Sequence, residues 1–142
     1  MGNTYRQMDR LDEAEAAYRR SIAAEPGYVG AYVQLGDLYR VQGRPEESLS
    51  LYQRAVEADP ASAWAHSALG SDYLARGDTA QALAHLERAV EIEPGNVIWL
   101  LALADARRSL GQAEQATAIY RQVLDLDPGN RRASEALQEM AP

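Results

Sequence analysis

Residues 63–96 read AWAHSALGSDYLARGDTAQALAHLERAVEIEPGN, and this stretch decides the fold. Leu69, Gly70 and Tyr73 fall at helical spacing, as do Ala82, Leu86 and Ala89. The spacing predicts two helices, each with one apolar stripe. Small residues on those stripes let two backbones approach closely, and the larger ones fill the gaps between them. Gly77 stands where the first helix ends and a left-handed residue is wanted. Asp78, three residues before Gln81, reads as the cap of the second helix.

The same plan recurs along the chain. Pro26, Pro60, Pro94 and Pro128 are spaced 34 residues apart, and an acid precedes each: Glu25, Asp59, Glu93 and Asp127. Aligned on the prolines, residues 29–62, 63–96 and 97–130 are full units. Leu35, Leu69 and Leu103 coincide, as do Gly36, Gly70 and Ala104. Tyr39 matches Tyr73, with Arg107 the exception. Gly43, Gly77 and Gly111 coincide, then Ser48, Ala82 and Ala116, then Tyr52, Leu86 and Tyr120, then Ala55, Ala89 and Val123. A period of this length means stacked helical units, because one pair cannot bury its apolar face alone.

Extending the register backwards pairs Gly2 with Gly36, Tyr5 with Tyr39, Ala14 with Ser48 and Tyr18 with Tyr52. Residues 1–28 therefore read as a partial unit lacking its leading six residues, as if cut from a longer chain. The expectation is a stub of first helix followed by a second helix over 11–24. Leu11, Ala14, Tyr18 and Ile22 form a stripe that the stub covers poorly, which predicts homo-oligomers joined through this end. Residues 131–142 continue the register with Leu137 in the leucine place. Arg131, Arg132, Glu135, Gln138 and Glu139 keep their outer face polar, as a capping helix requires.

The succession of aromatic, Leu-Gly, Tyr, Gly, Ala, aromatic, Ala and Pro resembles the tetratricopeptide (TPR) repeat over nearly the whole chain. The resemblance implies an all-α, right-handed solenoid of antiparallel helix pairs: a partial repeat at 1–28, full repeats at 29–62, 63–96 and 97–130, and a cap at 131–142. It also implies a non-catalytic scaffold that binds a protein or peptide segment in a concave groove lined by the first helix of each pair. On that register the groove receives Arg6 from the partial unit and Val33, Gln34, Asp37 and Arg40 from the next. Trp64, Ser67, Ser71 and Leu74 follow, then Ile98, Leu101, Asp105 and Arg108. Trp64 is the expected anchor, since tryptophan dominates binding hot spots and the equivalent Gly30 shows that the fold does not demand it. The carboxylate clamp of chaperone-binding relatives is not expected, because Trp64 and Ala68 stand where its basic residues belong.

Composition narrows the function classes. The net charge is −7, and no basic patch interrupts it, which argues against nucleic acid as a partner. No apolar run is long enough for membrane insertion, and no leader sequence is visible, so the expected address is cytoplasmic. Cysteine is absent, which removes disulfides and thiolate chemistry. All 14 basic residues are arginine, a bias that points to GC-rich, bacterial coding and excludes lysine Schiff bases.

His66 and His85 are the only histidines, too few for a structural metal site, and His66 takes the place of Tyr32 as a packing residue. No nucleophile–base pair or phosphate loop is present, so neither enzyme activity nor a cofactor is expected. The acids Asp12, Glu13, Glu46 and Glu47 suit helix starts. The pairs Arg19-Arg20, Arg107-Arg108 and Arg131-Arg132 read as solvated faces, with a phosphate site as the rival. Two alternatives stand beside the scaffold: a self-assembling structural module, or the accessory part of a larger catalytic or membrane-associated protein.

Overall fold

The computed structural model describes the backbone of residues 2–142, and the side chains of residue 8 and residues 10–142. The elements are all helices: α1 (Gly2–Ala24), α2 (Val29–Val41), α3 (Pro45–Ala58), α4 (Ala63–Arg76), α5 (Thr79–Ile92), α6 (Val97–Ser109), α7 (Ala113–Leu126) and α8 (Arg131–Met140). None of them is long and apolar enough to cross a membrane. The chain divides into two compact units, residues 1–65 and 66–142.

The recurring glycines make the corners. Gly43, Gly77 and Gly111 have φ of +72°, +83° and +75° and are the positive-φ residues described. In each corner the glycine N–H and the next N–H fold back on the helix end. Gly43 N–H donates to the Arg40 carbonyl at 3.1 Å, and Arg44 N–H to the Tyr39 carbonyl at 2.8 Å. The same two bonds recur at Gly77/Asp78 and at Gly111/Gln112. These are Schellman closures, which satisfy carbonyls the helix end would otherwise orphan.

The partial first repeat holds no such corner. The expected stub and second helix are instead one continuous helix, α1, running through residue 9. That residue is Asp9, at the register place of Gly43. A residue with a Cβ pays roughly 1–2 kcal/mol to turn left-handed, whereas continuing the helix keeps its hydrogen bonds. Absence of glycine decides it.

The Asp78 cap is also not formed. Asp78 precedes α5 with ψ 61° and makes no capping side-chain bond. Its counterparts Arg44 and Gln112 leave their corners at similar angles, also without a side-chain cap. The corner already orients the chain, since the Asp78 carbonyl accepts from Ala82 N–H at 3.0 Å. Side-chain caps occur at first helices instead: Ser62 to Ala65, Asn96 to Trp99 and Asn130 to Ala133.

In the first unit, α1 packs on α2 and α2 on α3. Ala31, Tyr32, Leu35, Tyr39, Leu51, Tyr52 and Ala55 are buried. Gly36 is needed here, because a Cβ would lie 2.6 Å from the Tyr52 ring. In the second unit, Leu100, Ala104, Ala116, Tyr120, Val123, Ala133 and Ala136 form one cluster joining α6, α7 and α8. Ala82, Leu86, Leu103 and Ala106 form another between α5 and α6. Each large side chain so buried contributes about 1.5–3 kcal/mol. Alanine supplies close approach rather than area.

Candidate recognition face

In the first unit the face begins with α2. Gln34, Asp37 and Arg40 follow one another at helical spacing and reach solvent, whereas Val33 is 1% exposed and belongs to the core. Asp37 is held from behind. The Tyr52 hydroxyl, on α3, donates to Asp37 Oδ1 at 2.5 Å, and Arg40 Nη2 lies 3.6 Å from the same oxygen. Burial, together with the Asp37 carboxylate, pushes the Tyr52 phenol up to about 12, so it stays a donor. Trp64 opens α4 and is 43% exposed, a large value for a tryptophan. The side chain of Arg6 lies outside the described residues.

In the second unit, Ser71 of α4 is exposed and Leu74 half-buried, but Ser67 is 5% exposed. Ile98 of α6 is 75% exposed, while Leu101 belongs to the core shared with α7 and α8. Asp105 repeats the Asp37 arrangement, accepting from the Tyr120 hydroxyl on Oδ1. Burial and that carboxylate push the Tyr120 phenol up to about 12 as well.

Here the capping helix completes the charges. Arg132 of α8 donates to Asp105 Oδ2, and Arg108 donates to Glu139 at 3.0 Å. Val33, Ser67 and Leu101 are therefore expected face residues that the fold buries, and Asp105 and Arg108 are engaged internally. The arginine pairs are largely ion-paired: Arg19 meets Glu15, Arg107 meets Glu87, and Arg131 meets Glu135.

Reading the sequence alone misses the tyrosines and the α8 partners. A signal existed in the chain itself, because the 15-residue pairs Asp37/Tyr52 and Asp105/Tyr120 both change together, to Ser71/Leu86, in the middle repeat. The histidines also hold a surprise. His66 Nδ1 lies 3.1 Å from His85 Nδ1 with the rings stacked, and Tyr73 stacks on the other side of His85. Such a bond needs one Nδ1 protonated and the other bare. Burial first, and then the His66 charge, hold His85 below its ordinary value. Away from the first-helix face, a cleft of about 420 Å³ opens in the first unit, lined by Ile22, Leu35, Tyr39, Leu51 and Arg54 among others.

Comparison with known proteins follows this repeat closely. Tetratricopeptide-repeat profiles match residues 1–28, 28–94 and 73–140, spanning nearly the whole chain. The chain belongs to the tetratricopeptide-repeat family. No curated protein sequence matches this TPR chain significantly.

Among solved structures, two of MamA are similar at 25% identity, with TM-scores of 0.82 and 0.81. Each covers 99% of this chain, and 82% and 76% of the MamA chains. The first TPR of Spaghetti (RPAP3), bound to an HSP90 peptide SRMEEVD, is 25% identical, with TM-score 0.75 over 79% of this chain and 89% of that one. YrrB, a TPR protein with an unusual peptide-binding site, has TM-score 0.81 over 97% of this chain and 71% of its own. At 21% identity the likeness to YrrB shows the fold alone: an all-α helical-repeat solenoid.

Proposed function

We propose that this TPR chain is a non-catalytic scaffold that binds a protein or peptide segment on its first-helix faces. Gln34, Asp37, Arg40 and Trp64 would contribute in the first unit. Ser71, Leu74 and Ile98 would contribute in the second. One observation carries the reading: Trp64 and Ile98 are exposed apolar side chains at a register place that elsewhere holds Gly30 and Arg132. A place filled by Gly, Trp, Ile and Arg is not required by the framework, so its large apolar occupants call for another explanation. Exposed apolar anchors surrounded by polar groups suit protein recognition. The Spaghetti TPR, with its bound peptide, supports peptide binding as the mode. The acidic HSP90 peptide itself does not transfer as a ligand, given Trp64 and Ala68 at the places where a carboxylate clamp has basic residues and the acidic charge here.

The test is selection of twelve-residue peptides from a random display library, with the winners then measured on a Trp64→Ala, Ile98→Ala double variant. A loss of about thirtyfold or more, the scale of a hot spot, is expected. Winners that bind the double variant as well as the parent would move the site elsewhere.

A further inference from the structure

Two register-equivalent carboxylates, Asp37 and Asp105, are held alike by their own hairpins and differently by the helix that follows. Each accepts a tyrosine hydroxyl on Oδ1, from Tyr52 and Tyr120, and each has an arginine three residues on. Asp105 has its second oxygen filled, because Arg132 reaches Oδ2 from the first turn of α8. The register place of Arg132 in the helix after Asp37 is Trp64. Tryptophan brings no cation. Among the described residues, Asp37 Oδ2 has no hydrogen-bond donor, and its side chain is 50% exposed. The nearby Arg40 sits at 3.6 Å from Oδ1, beyond hydrogen-bond distance, and turns much of its guanidinium to solvent.

We propose that Asp37 and Trp64 form a subsite for a basic side chain, arginine foremost, carried by the bound segment; this rests on the first-helix face being the binding face. The chain's own Arg132–Asp105 contact shows which chemistry fills this place when the sequence provides it. Tyr52 fixes the Asp37 carboxylate in one orientation, so little ordering remains to be done on binding. Oδ2 remains a charged acceptor on a half-exposed side chain, and a guanidinium meets such an acceptor with short, directional bonds. Trp64, 43% exposed, adds an indole whose ring quadrupole attracts the same cation. The net charge of −7 draws basic segments and repels acidic ones.

The experiment uses the same peptide selection on the whole chain, with winners measured on Asp37→Asn and on Trp64→Ala. The amide of the Asp37→Asn variant keeps an oxygen acceptor for the Tyr52 hydroxyl, so the hairpin is retained while the charge is lost. The expected result is a basic residue at one fixed position in the winners, with affinity falling about tenfold on each variant. Winners without a basic residue, or a loss on one variant and not the other, would overturn the paired subsite. Winners indifferent to Asp37→Asn but lost on the Trp64→Ala, Ile98→Ala double variant would overturn this inference and leave the first-helix reading intact. Winners indifferent to all three changes, or no winners, would overturn both.

Discussion

Hairpins α2–α3 and α4–α5 share a glycine corner and a Leu-Gly pair, yet they fill the space between their helices with different chemistry. In the first, Tyr52 lies against Gly36 and its hydroxyl continues on to Asp37; the buried Ser48 sits beside it. In the second, Leu86 lies against Gly70 and stops there, Ala82 replaces the serine, and Ser71 is left at the surface. Where the first hairpin has Tyr32 and Leu51, the second has His66 and His85 in contact. Repeat register dictates which positions meet. It does not dictate whether they meet through a ring, a hydroxyl or an imidazole. A long polar side chain can therefore serve the core with its body and the surface with its tip, and Tyr52 does so.

The largest effect should come from Gly36→Ala, since the new methyl would stand 2.6 Å from a Tyr52 ring that fills its pocket. Overpacking of this kind should cost about 2 kcal/mol or more in urea unfolding. Gly70→Ala should cost somewhat less, because its nearest atom, Leu86 Cγ, would stand 2.9 Å from the new methyl rather than 2.6 Å. Equal costs would break the comparison. Next, Gly43→Ala and Gly77→Ala should each cost about 1–2 kcal/mol, alike in both hairpins, because both glycines are left-handed.

A smaller change in the opposite direction is expected from Ser48→Ala. Ser48 Oγ is fully buried and faces the Tyr52 hydroxyl without satisfying hydrogen-bond geometry. Its counterparts are Ala82 and Ala116. Removing an unsatisfied hydroxyl should raise stability by about 1 kcal/mol, read as a higher urea midpoint.

The pH response should separate the hairpins most finely. His85 is held below 6.5 in the folded chain, so its contribution is fully present above that value and is lost as pH falls through the lower folded one. Thermal unfolding should show falling stability below about pH 6.5. His85→Leu, which copies Leu51, should flatten that part of the profile. An unchanged profile would mean that the histidine pair is electrostatically silent.

The three hairpins and the cap were legible because glycine, proline and alanine report backbone events that no other residue performs as well. The boundary of the recognition face was less legible. Val33 and Leu101 share helical surface with exposed neighbours, but each is turned just far enough to be covered. A register assigns residues to a face and cannot say how deep the next helix sinks. Asp78 failed as a cap for a similar reason: the spacing was right, but the corner had already oriented the chain. Asp105 and Arg108 look free in a one-helix reading and are taken up by α8, 27 and 31 residues further on.

By itself, then, the sequence determined the repeat, its helix pairs and their corners, since left-handed glycine, helix-stopping proline and close-packing alanine are local demands of the backbone. Only the tertiary structure decided that Tyr52 and Tyr120 hold Asp37 and Asp105, and that Arg132 fills the second oxygen of Asp105 while Asp37 has no such donor among the described residues. Those outcomes depend on which side chain arrives from a neighbouring helix. Distance in space, not position in the register, sets that.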